Sequence, residues 1–232
     1  MSNNVRNIYV ITIFPELINN FTSFGIVQKG QDKSLIKIKT INLRDYSDNN
    51  GYVDDKPYGG GPGMVFQAQP LINATRYVKS KLEKCKCIYL SPQGQKINQE
   101  IIKQTAENDD LIIIAGRYEG VDQRFIDLEV DEEWSVGDYV LSGGEIAACV
   151  IIDAVARMVP GVLGHSDSNK EESFENGFLE YPHYTRPEIV ENLSVPKVLL
   201  SGDHQKIKEW RMKQAILVTS NKRSDLIKKK LS

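Results

Sequence analysis

Cysteine and histidine are scarce in this chain of 232 residues, which has three of each. The three cysteines are odd in number, and the Cys85-x-Cys87 pair lacks the second pair that a zinc site needs. The histidines are dispersed without the spacing of metal ligands. We therefore expect no protein-held metal site, and reduced thiols in a cytoplasmic setting.

Long hydrophobic runs are also missing. The longest uninterrupted apolar run spans residues 146–152, whereas a membrane-spanning helix needs about 20 residues. The first residues lack a basic region followed by an apolar stretch. The sequence therefore predicts neither a membrane anchor nor a signal peptide.

Three common nucleotide and hydrolase motifs are absent. The glycine-rich stretch 59–64 does not end in Gly-Lys-Ser/Thr, so it is not a Walker A loop. No Gly-x-Gly-x-x-Gly follows a predicted strand, which excludes the usual dinucleotide fingerprint. No Gly-x-Ser-x-Gly elbow is present, which argues against a hydrolase of that type.

The net charge of −2 conceals an asymmetry along the chain. Residues 203–232 carry nine Lys/Arg and three Asp/Glu, a charge of +6, which leaves −8 for the first 202 residues. A basic end on an acidic body is compatible with a polyanionic partner. Charge alone favours a solvated helical face, since charge runs are common on surfaces.

What is present is an alternation of apolar strands and amphipathic helices. Because most of the predicted strands are apolar on both faces, the pattern predicts a mainly parallel sheet with helices on both faces. The long loop 42–63 is polar and glycine-rich, and the stretch from Pro182 onward is expected to be helical, with a turn at residues 187–190. The predicted strands are residues 7–14, 35–41, 87–90 and 111–115, and the predicted helices follow Pro15 and span residues 69–82, 98–106, 145–158 and 202–217.

Three glycine-bearing turns, residues 90–94, 115–120 and 136–144, are each expected to follow an apolar strand. The carboxyl ends of parallel strands share one edge of a sheet, where ligands bind. Glycine there allows the backbone to approach a ligand closely. The pattern leaves two readings open, a composite binding site and ordinary tight turns. Arg157 is similarly open, between a surface ion pair with Asp153 and a cation for a polarised substrate atom.

Six blocks of sequence resemble the bacterial tRNA (guanine-N1)-methyltransferase family, which acts at position 37 and belongs to the SPOUT superfamily. The resemblance runs in order from Phe14 to Lys213, nearly the whole chain. The blocks are PYGGGPGM (57–64), YLSPQG (89–94), GRYEG (116–120), DEEWSVGDYVLSGGE (131–145), PGVLG (160–164) and YPHYTRP (181–187).

The resemblance implies a SPOUT-type α/β fold with a deep trefoil knot, a feature nearly absent from other proteins. It also implies a small helical C-terminal domain. The expected organisation is a cofactor-binding domain (1–163), a flexible linker (164–177) and a basic, helical tRNA-binding domain (178–232). The family is a homodimer whose active sites are shared between subunits, and the C-terminal domain would bind the anticodon stem-loop through phosphates.

The resemblance assigns S-adenosylmethionine to the three turns, where it would be held largely by main-chain groups. Mg²⁺ dependence is also implied, without protein ligands that the sequence identifies. The candidate cofactor-binding residues are Tyr89, Leu90, Ser91, Pro92, Gly94, Gly116, Tyr118, Glu119, Gly120, Val136, Gly137, Tyr139, Leu141, Ser142, Gly143 and Gly144.

The implied reaction converts guanosine 37, preceded by guanosine 36, to 1-methylguanosine and so maintains the reading frame. N1 of guanine carries a proton, so a general base must remove it while a cation stabilises charge on O6. The family's arginine matches Arg157. The family's aspartate falls at Glu172, which keeps the carboxylate but adds a methylene; Asp167 and Glu171 are the rival bases.

The residues expected to contact the tRNA lie in two parts of the chain. Asp54 and Asp55 could accept hydrogen bonds from the guanine edge, and their plainer reading is a solvated loop or an Asx turn. Glu180 replaces the aspartate that is common in the family. The full set of substrate candidates is Asp54, Asp55, Tyr58, Glu180, His183 and Arg186.

Two other functions remain open from the sequence. One is a SPOUT methyltransferase with a different RNA target, which would not need the linker carboxylate together with Arg157 if it methylates ribose. The other is a catalytically inactive RNA-binding module, which the change to Glu172 makes conceivable.

Overall fold

Apolar runs build a parallel sheet in the first part of the chain. The computed structural model describes residues 5–107, 110–163 and 172–231, and of residues 228–231 the backbone alone. The chain divides into two units, Met1–Gly164 and His165–Ser232. In chain order the strands are β1 (Arg6–Thr12), β2 (Ile36–Asn42), β3 (Asp54–Asp55), β4 (Val65–Phe66), β5 (Cys85–Lys96), β6 (Asp110–Ile114), β7 (Glu132–Ser135), β8 (Ile189–Val190) and β9 (Leu193–Ser194).

The central sheet has the strand order β2-β1-β6-β5-β7, and its neighbouring strands pair in parallel. The prediction of a mainly parallel α/β sheet is therefore confirmed. In chain order the helices are α1 (Pro15–Thr22), α2 (Gly25–Asp32), a 3-10 turn (Leu43–Tyr46), α3 (Ala68–Lys79), α4 (Gln99–Glu107), α5 (Gln123–Glu129), α6 (Gly144–Met158), α7 (Lys197–Leu200), α8 (His204–Lys222) and α9 (Ser224–Leu231).

The sheet is covered on both faces because successive side chains of a strand point to opposite sides. Ile8 and Val10 of β1 join a core with α1, α2, α4 and α6. Tyr9 and Ile11 join a second core with α3 and α5. This arrangement explains why the inner strands are apolar throughout, and why the predicted helices on both faces are observed.

Two predictions about the strands were wrong. β5 does not end at Leu90 but continues to Lys96 after an irregularity, in which Leu90 and Gln95 both pair with Trp134. The intervening residues, which include Pro92 without a donor N–H, bulge out of the ladder. The third glycine turn follows β7, with the sequence Glu-Glu-Trp-Ser, and not an apolar strand. An edge strand needs little apolar surface, so the hydrophobic pattern missed it.

The helical prediction after Pro182 was wrong for part of the second unit. Residues 189–190 pair antiparallel with residues 193–194. Glu191 and Asn192, between them, have φ values of 47° and 66°. Two consecutive residues at positive φ form the tight turn that joins a hairpin. The predicted helix 202–217 is confirmed as α8, which begins after Asp203, whose side chain accepts a hydrogen bond from the Lys206 N–H.

Within the described residues, the structure has no helix of the length and hydropathy that crossing a membrane requires.

Candidate active site

The three glycine turns, the first at the irregularity within β5 and the others after β6 and β7, come together around a cavity of about 370 Å³. That size is within the range of small-molecule sites, roughly 300–1,000 Å³. Fifteen of the sixteen residues predicted to bind a cofactor line it, namely Tyr89, Leu90, Ser91, Pro92, Gly116, Tyr118, Glu119, Gly120, Val136, Gly137, Tyr139, Leu141, Ser142, Gly143 and Gly144.

The remaining predicted residue, Gly94, lies where β5 packs against β7. A Cβ atom at this position would lie 2.4 Å from the carbonyl carbon of Glu133. Glycine is therefore required for the close approach of two backbones, and the position shapes the wall behind the cavity.

Several residues around the cavity were missed by the sequence reasoning. Most are sequence neighbours of the predicted ones, so extending each turn by one or two residues would have found them. Ala147 lies about one turn into α6, a spacing that a helical periodicity could have suggested. The additional lining residues are Gln93, Arg117, Val121, Gln123, Ile126, Glu133, Trp134, Ser135, Val140 and Ala147.

The second turn is held in shape by main-chain hydrogen bonds to β4 and the residue before it. The Glu119 N–H donates to the Met64 carbonyl (3.0 Å), and the Phe66 N–H donates to the Gly120 carbonyl (3.0 Å). Tyr118 has a φ of 59°, a rare conformation for a non-glycine residue that is stabilised here by its surroundings. The turn therefore presents its backbone to the cavity in a defined geometry.

The third turn is bound to the second by the start of α6. The Gly144 N–H donates to the Gly116 carbonyl at 2.8 Å. A Cβ atom at position 144 would lie 2.8 Å from the Cα of Ala115, so only glycine permits this approach. The first residue of α6 consequently lies beside the cavity, with its N–H hydrogen-bonded to the second turn.

Tyr89 contributes a buried phenol to the wall. Burial, together with the negative charge of Glu133, raises the pKa of Tyr89 to about 12. The hydroxyl is therefore a neutral hydrogen-bonding group at any physiological pH.

An ion pair joins the second turn to the first residues of α6. Arg117 Nε donates to both carboxylate oxygens of Glu145, at 3.2 and 3.0 Å. The Glu145 side chain is 1% exposed. Its Oε1 also accepts a hydrogen bond of 2.8 Å from the Thr12 hydroxyl, at the end of β1.

The predicted substrate residues of the first unit lie on the long loop. Asp54 pairs with Phe66 across the short β3–β4 ladder, and Phe66 forms a bridge with Val121 next to the second turn. Asp55 Oδ1 accepts a hydrogen bond from the Lys56 N–H at 2.7 Å, and Tyr58 is 99% exposed. The loop is therefore attached to the cavity wall, with the tyrosine facing solvent.

The two candidate catalytic residues belong to different units. Arg157 lies in the last turn of α6 and is half-buried. Glu172 is half-buried in the second unit, and its carbonyl accepts a hydrogen bond from the Glu175 N–H. The rival bases, Asp167 and Glu171, lie outside the described residues.

The predicted substrate residues of the second unit lie after the turn that the Glu172–Glu175 hydrogen bond forms. The Glu180 backbone N–H donates a hydrogen bond to Ser173 Oγ at 3.0 Å. Its carboxylate lies 3.7 Å from His183 Nε2. Arg186 is exposed. Among the residues that the structure describes, no group of three His, Cys, Asp or Glu side chains could hold a metal ion.

Comparison with known proteins adds a family match. The model of the family tRNA (Guanine-1)-methyltransferase TrmD matches residues 6–229. A tRNA (guanine-N(1)-)-methyltransferase of Buchnera aphidicola subsp. Schizaphis graminum is 51% identical over 223 residues, 96% of this chain and 85% of the relative. Proteins of the same name from Pseudoalteromonas atlantica and Pseudomonas putida (strain W619) are each 52% identical over 220 residues, 94% of this chain and 83% and 88% of the relatives.

Proposed function

The chain belongs to the tRNA (guanine-1)-methyltransferase family, and from this premise we propose that it transfers the methyl group of S-adenosylmethionine to N1 of guanosine 37. The tRNA substrates carry guanosine at position 36, the product is 1-methylguanosine, and the modification maintains the reading frame in the cytoplasm. The observation that carries this proposal is the cavity that the three glycine turns enclose at one edge of the sheet.

The donor set around the cavity fits a nucleoside-containing cofactor. Three turns present main-chain groups, and the buried side chains of Leu90 and Trp134 provide apolar surface for a purine ring. When bound, S-adenosylmethionine supplies an electrophilic methyl group. The protein's part is to orient that group for in-line attack and to exclude water from it.

Proton removal from guanine N1 is assigned to Glu172. N1 is a poor nucleophile while it keeps its proton, so a carboxylate within hydrogen-bond reach is required. Arg157 would stabilise the negative charge that accumulates on O6. Glu172 carries one methylene more than the aspartate usual in the family, so its carboxylate lies about one carbon–carbon bond farther from the backbone.

The finer architecture follows from the same proposal. The segments around 90–94, 115–120 and 136–144 would form the trefoil knot, which the contact between Gly144 and the second turn supports. A homodimer would place each Glu172 in its partner's site. The exposed apolar side chains of Ile146 and Val150 on α6 support such an interface.

Binding of tRNA is assigned to the second unit and to the long loop of the first. Asp54, Asp55 and Tyr58 would contact the target nucleotide, while Glu180, His183 and Arg186 would contact the anticodon stem-loop together with the basic C-terminal residues. Mg²⁺ dependence is part of the proposal, but no residue is assigned to the ion and no step depends on it.

The decisive experiment is mass spectrometry of nucleosides from a tRNA transcript that carries G36-G37, after incubation with the protein and S-adenosylmethionine. The expected product is 1-methylguanosine at position 37, and a G37→A transcript should remain unmodified. A methylated ribose would indicate another SPOUT activity. Binding of the transcript without transfer would indicate an inactive RNA-binding module.

A further inference from the structure

The Arg117 side chain is fixed beside the cavity by an ion pair with Glu145 and by the ring of Phe14. The side chain is 23% exposed, lines the cavity and uses its Nε in the ion pair with Glu145. Within the part of the chain that the structure describes, the two terminal guanidinium nitrogens of Arg117 have no hydrogen-bond partner. An arginine fixed through Nε retains two parallel donors for a ligand.

The carboxylate that fixes Arg117 is itself fixed. Glu145 is almost fully buried, and a buried charge is costly unless it is paired and hydrogen-bonded. Thr12 Oγ1 donates to Glu145 Oε1 at 2.8 Å and accepts from the Phe14 N–H at 2.9 Å. The end of β1 thereby sets the position of the carboxylate, and the carboxylate sets the position of Arg117.

An aromatic ring completes the arrangement. The Arg117 guanidinium carbon lies 4.3 Å from the centroid of the Phe14 ring, and that of Arg44 lies 5.9 Å from the same centroid. Guanidinium groups stack favourably on aromatic faces. Two cations therefore converge on one ring beside the cavity, where Glu145 neutralises one of them.

We propose that Arg117 binds an oxyanion of a bound substrate, with Glu145 and Thr12 as positioning residues. This inference rests on the proposed function, since it concerns the ligands of the same cavity. Two sources supply such a group: the carboxylate of the cofactor's methionine portion and a phosphate of the RNA. Both accept the paired N–H donors of a guanidinium in the same way.

The test compares Arg117→Met with the wild type in two binding measurements. If the oxyanion is the carboxylate, the affinity for S-adenosylhomocysteine falls roughly tenfold to hundredfold, while that for 5′-methylthioadenosine, which lacks the carboxylate, is unchanged. If it is a phosphate, S-adenosylhomocysteine binding is unchanged. The KM for tRNA then rises by a similar factor. The slope of log K for tRNA binding against log salt concentration falls by the amount that corresponds to about one released counterion.

Matched variants separate binding from folding. Arg124→Met removes an exposed arginine of α5, which pairs with Asp122 just before that helix. This variant should change neither measurement. Arg117→Lys should recover part of the lost affinity, because the positive charge remains while the paired N–H donors of the guanidinium are lost. Glu145→Gln should shift the same parameter as Arg117→Met, and the double variant should be no worse than Arg117→Met alone.

The inference is overturned if Arg117→Met leaves both ligands' affinities intact, or if the Glu145→Gln and Arg117→Met effects add. Its failure is distinguishable from that of the proposed function. A wild-type protein that methylates a position other than guanine N1 would remove the proposed function, whereas the binding measurements with S-adenosylhomocysteine and tRNA would still decide the role of Arg117.

Discussion

Gly94 lies directly against the main chain of Trp134: a Cβ atom at position 94 would come within 2.4 Å of the Trp134 amide nitrogen. This contact lies at the irregularity of β5, where Leu90 and Gln95 both pair with Trp134. The bulge carries Ser91 and Pro92 out of the ladder and into the cavity wall. The wall of the site therefore depends on a glycine that does not line it.

Gly94→Ala should destabilise the protein and weaken cofactor binding, because two backbones would have to separate. Overpacking typically costs about 1–3 kcal/mol, and backbone atoms yield less readily than side chains, so we expect the upper end of that range. Chemical denaturation and calorimetry with S-adenosylhomocysteine measure the two effects.

Gly202→Ala is the matched control for this variant. Gly202 has a φ of 71° and no atom within 4 Å of an added Cβ, so its cost should be the left-handed backbone term alone, about 1–2 kcal/mol. Equal losses at the two positions would contradict the role given to the Gly94 contact.

Glu172→Gln should lower kcat by roughly a hundredfold to ten-thousandfold, the usual contribution of a general base. Affinities for S-adenosylhomocysteine and tRNA should change little, because the side chain keeps its size. Single-turnover methyl transfer measures the effect. Glu175→Gln, in the same turn, serves as the control and should retain activity. Unchanged turnover in Glu172→Gln would remove this residue from the mechanism and direct the test to Asp167 and Glu171.

Neutralising Lys228, Lys229 and Lys230 together should weaken tRNA binding and flatten its dependence on salt. Each lost phosphate contact reduces the slope of log K against log salt concentration by about 0.7–0.9. A filter-binding series at several salt concentrations measures the slope. Replacing the exposed Lys37, Lys81 and Lys84 of the first unit should have a smaller effect, and equal slopes for the two triple variants would show that the basic end has no special part in binding.

The free energy of unfolding should decrease at alkaline pH. Burial raises the pKa of the Cys87 thiol from its ordinary value of 9.0 to about 12. The unfolded chain then loses this proton first, so the stabilisation is complete below pH 9 and disappears as the pH rises toward 12. Between these limits one such group contributes a slope of about 1.4 kcal/mol per pH unit.

Urea unfolding from pH 8 to 11, with a reductant present, measures this slope. Cys87→Ala should reduce the slope of stability against pH. Val78→Ala, a truncation in the same buried cluster, should lower the stability but leave the slope unchanged. Identical slopes for wild type and Cys87→Ala would contradict the assignment. The slope that remains in Cys87→Ala includes the contribution of Cys149, because burial raises the pKa of its thiol to about 11.

Residues 6–12 and 110–114 could be recognised as strands because their apolar side chains face two cores, a requirement that is written locally in the sequence. β7 could not, because an edge strand with two glutamates has no such pattern. The helical prediction was wrong around residues 189–194, because a hairpin of two-residue strands depends on the turn conformation of Glu191 and Asn192.

The sequence by itself determined the parallel α/β class, the three glycine turns and the family, because strand patterning and long motifs are properties of contiguous residues. Only the tertiary structure decided how those turns meet. The contact between Thr12 and Glu145 spans 133 positions, and the ion pair of Glu145 with Arg117 spans 28. Such pairs follow from the order of strands in the sheet, which is set by packing over the whole unit and leaves no local pattern in the chain.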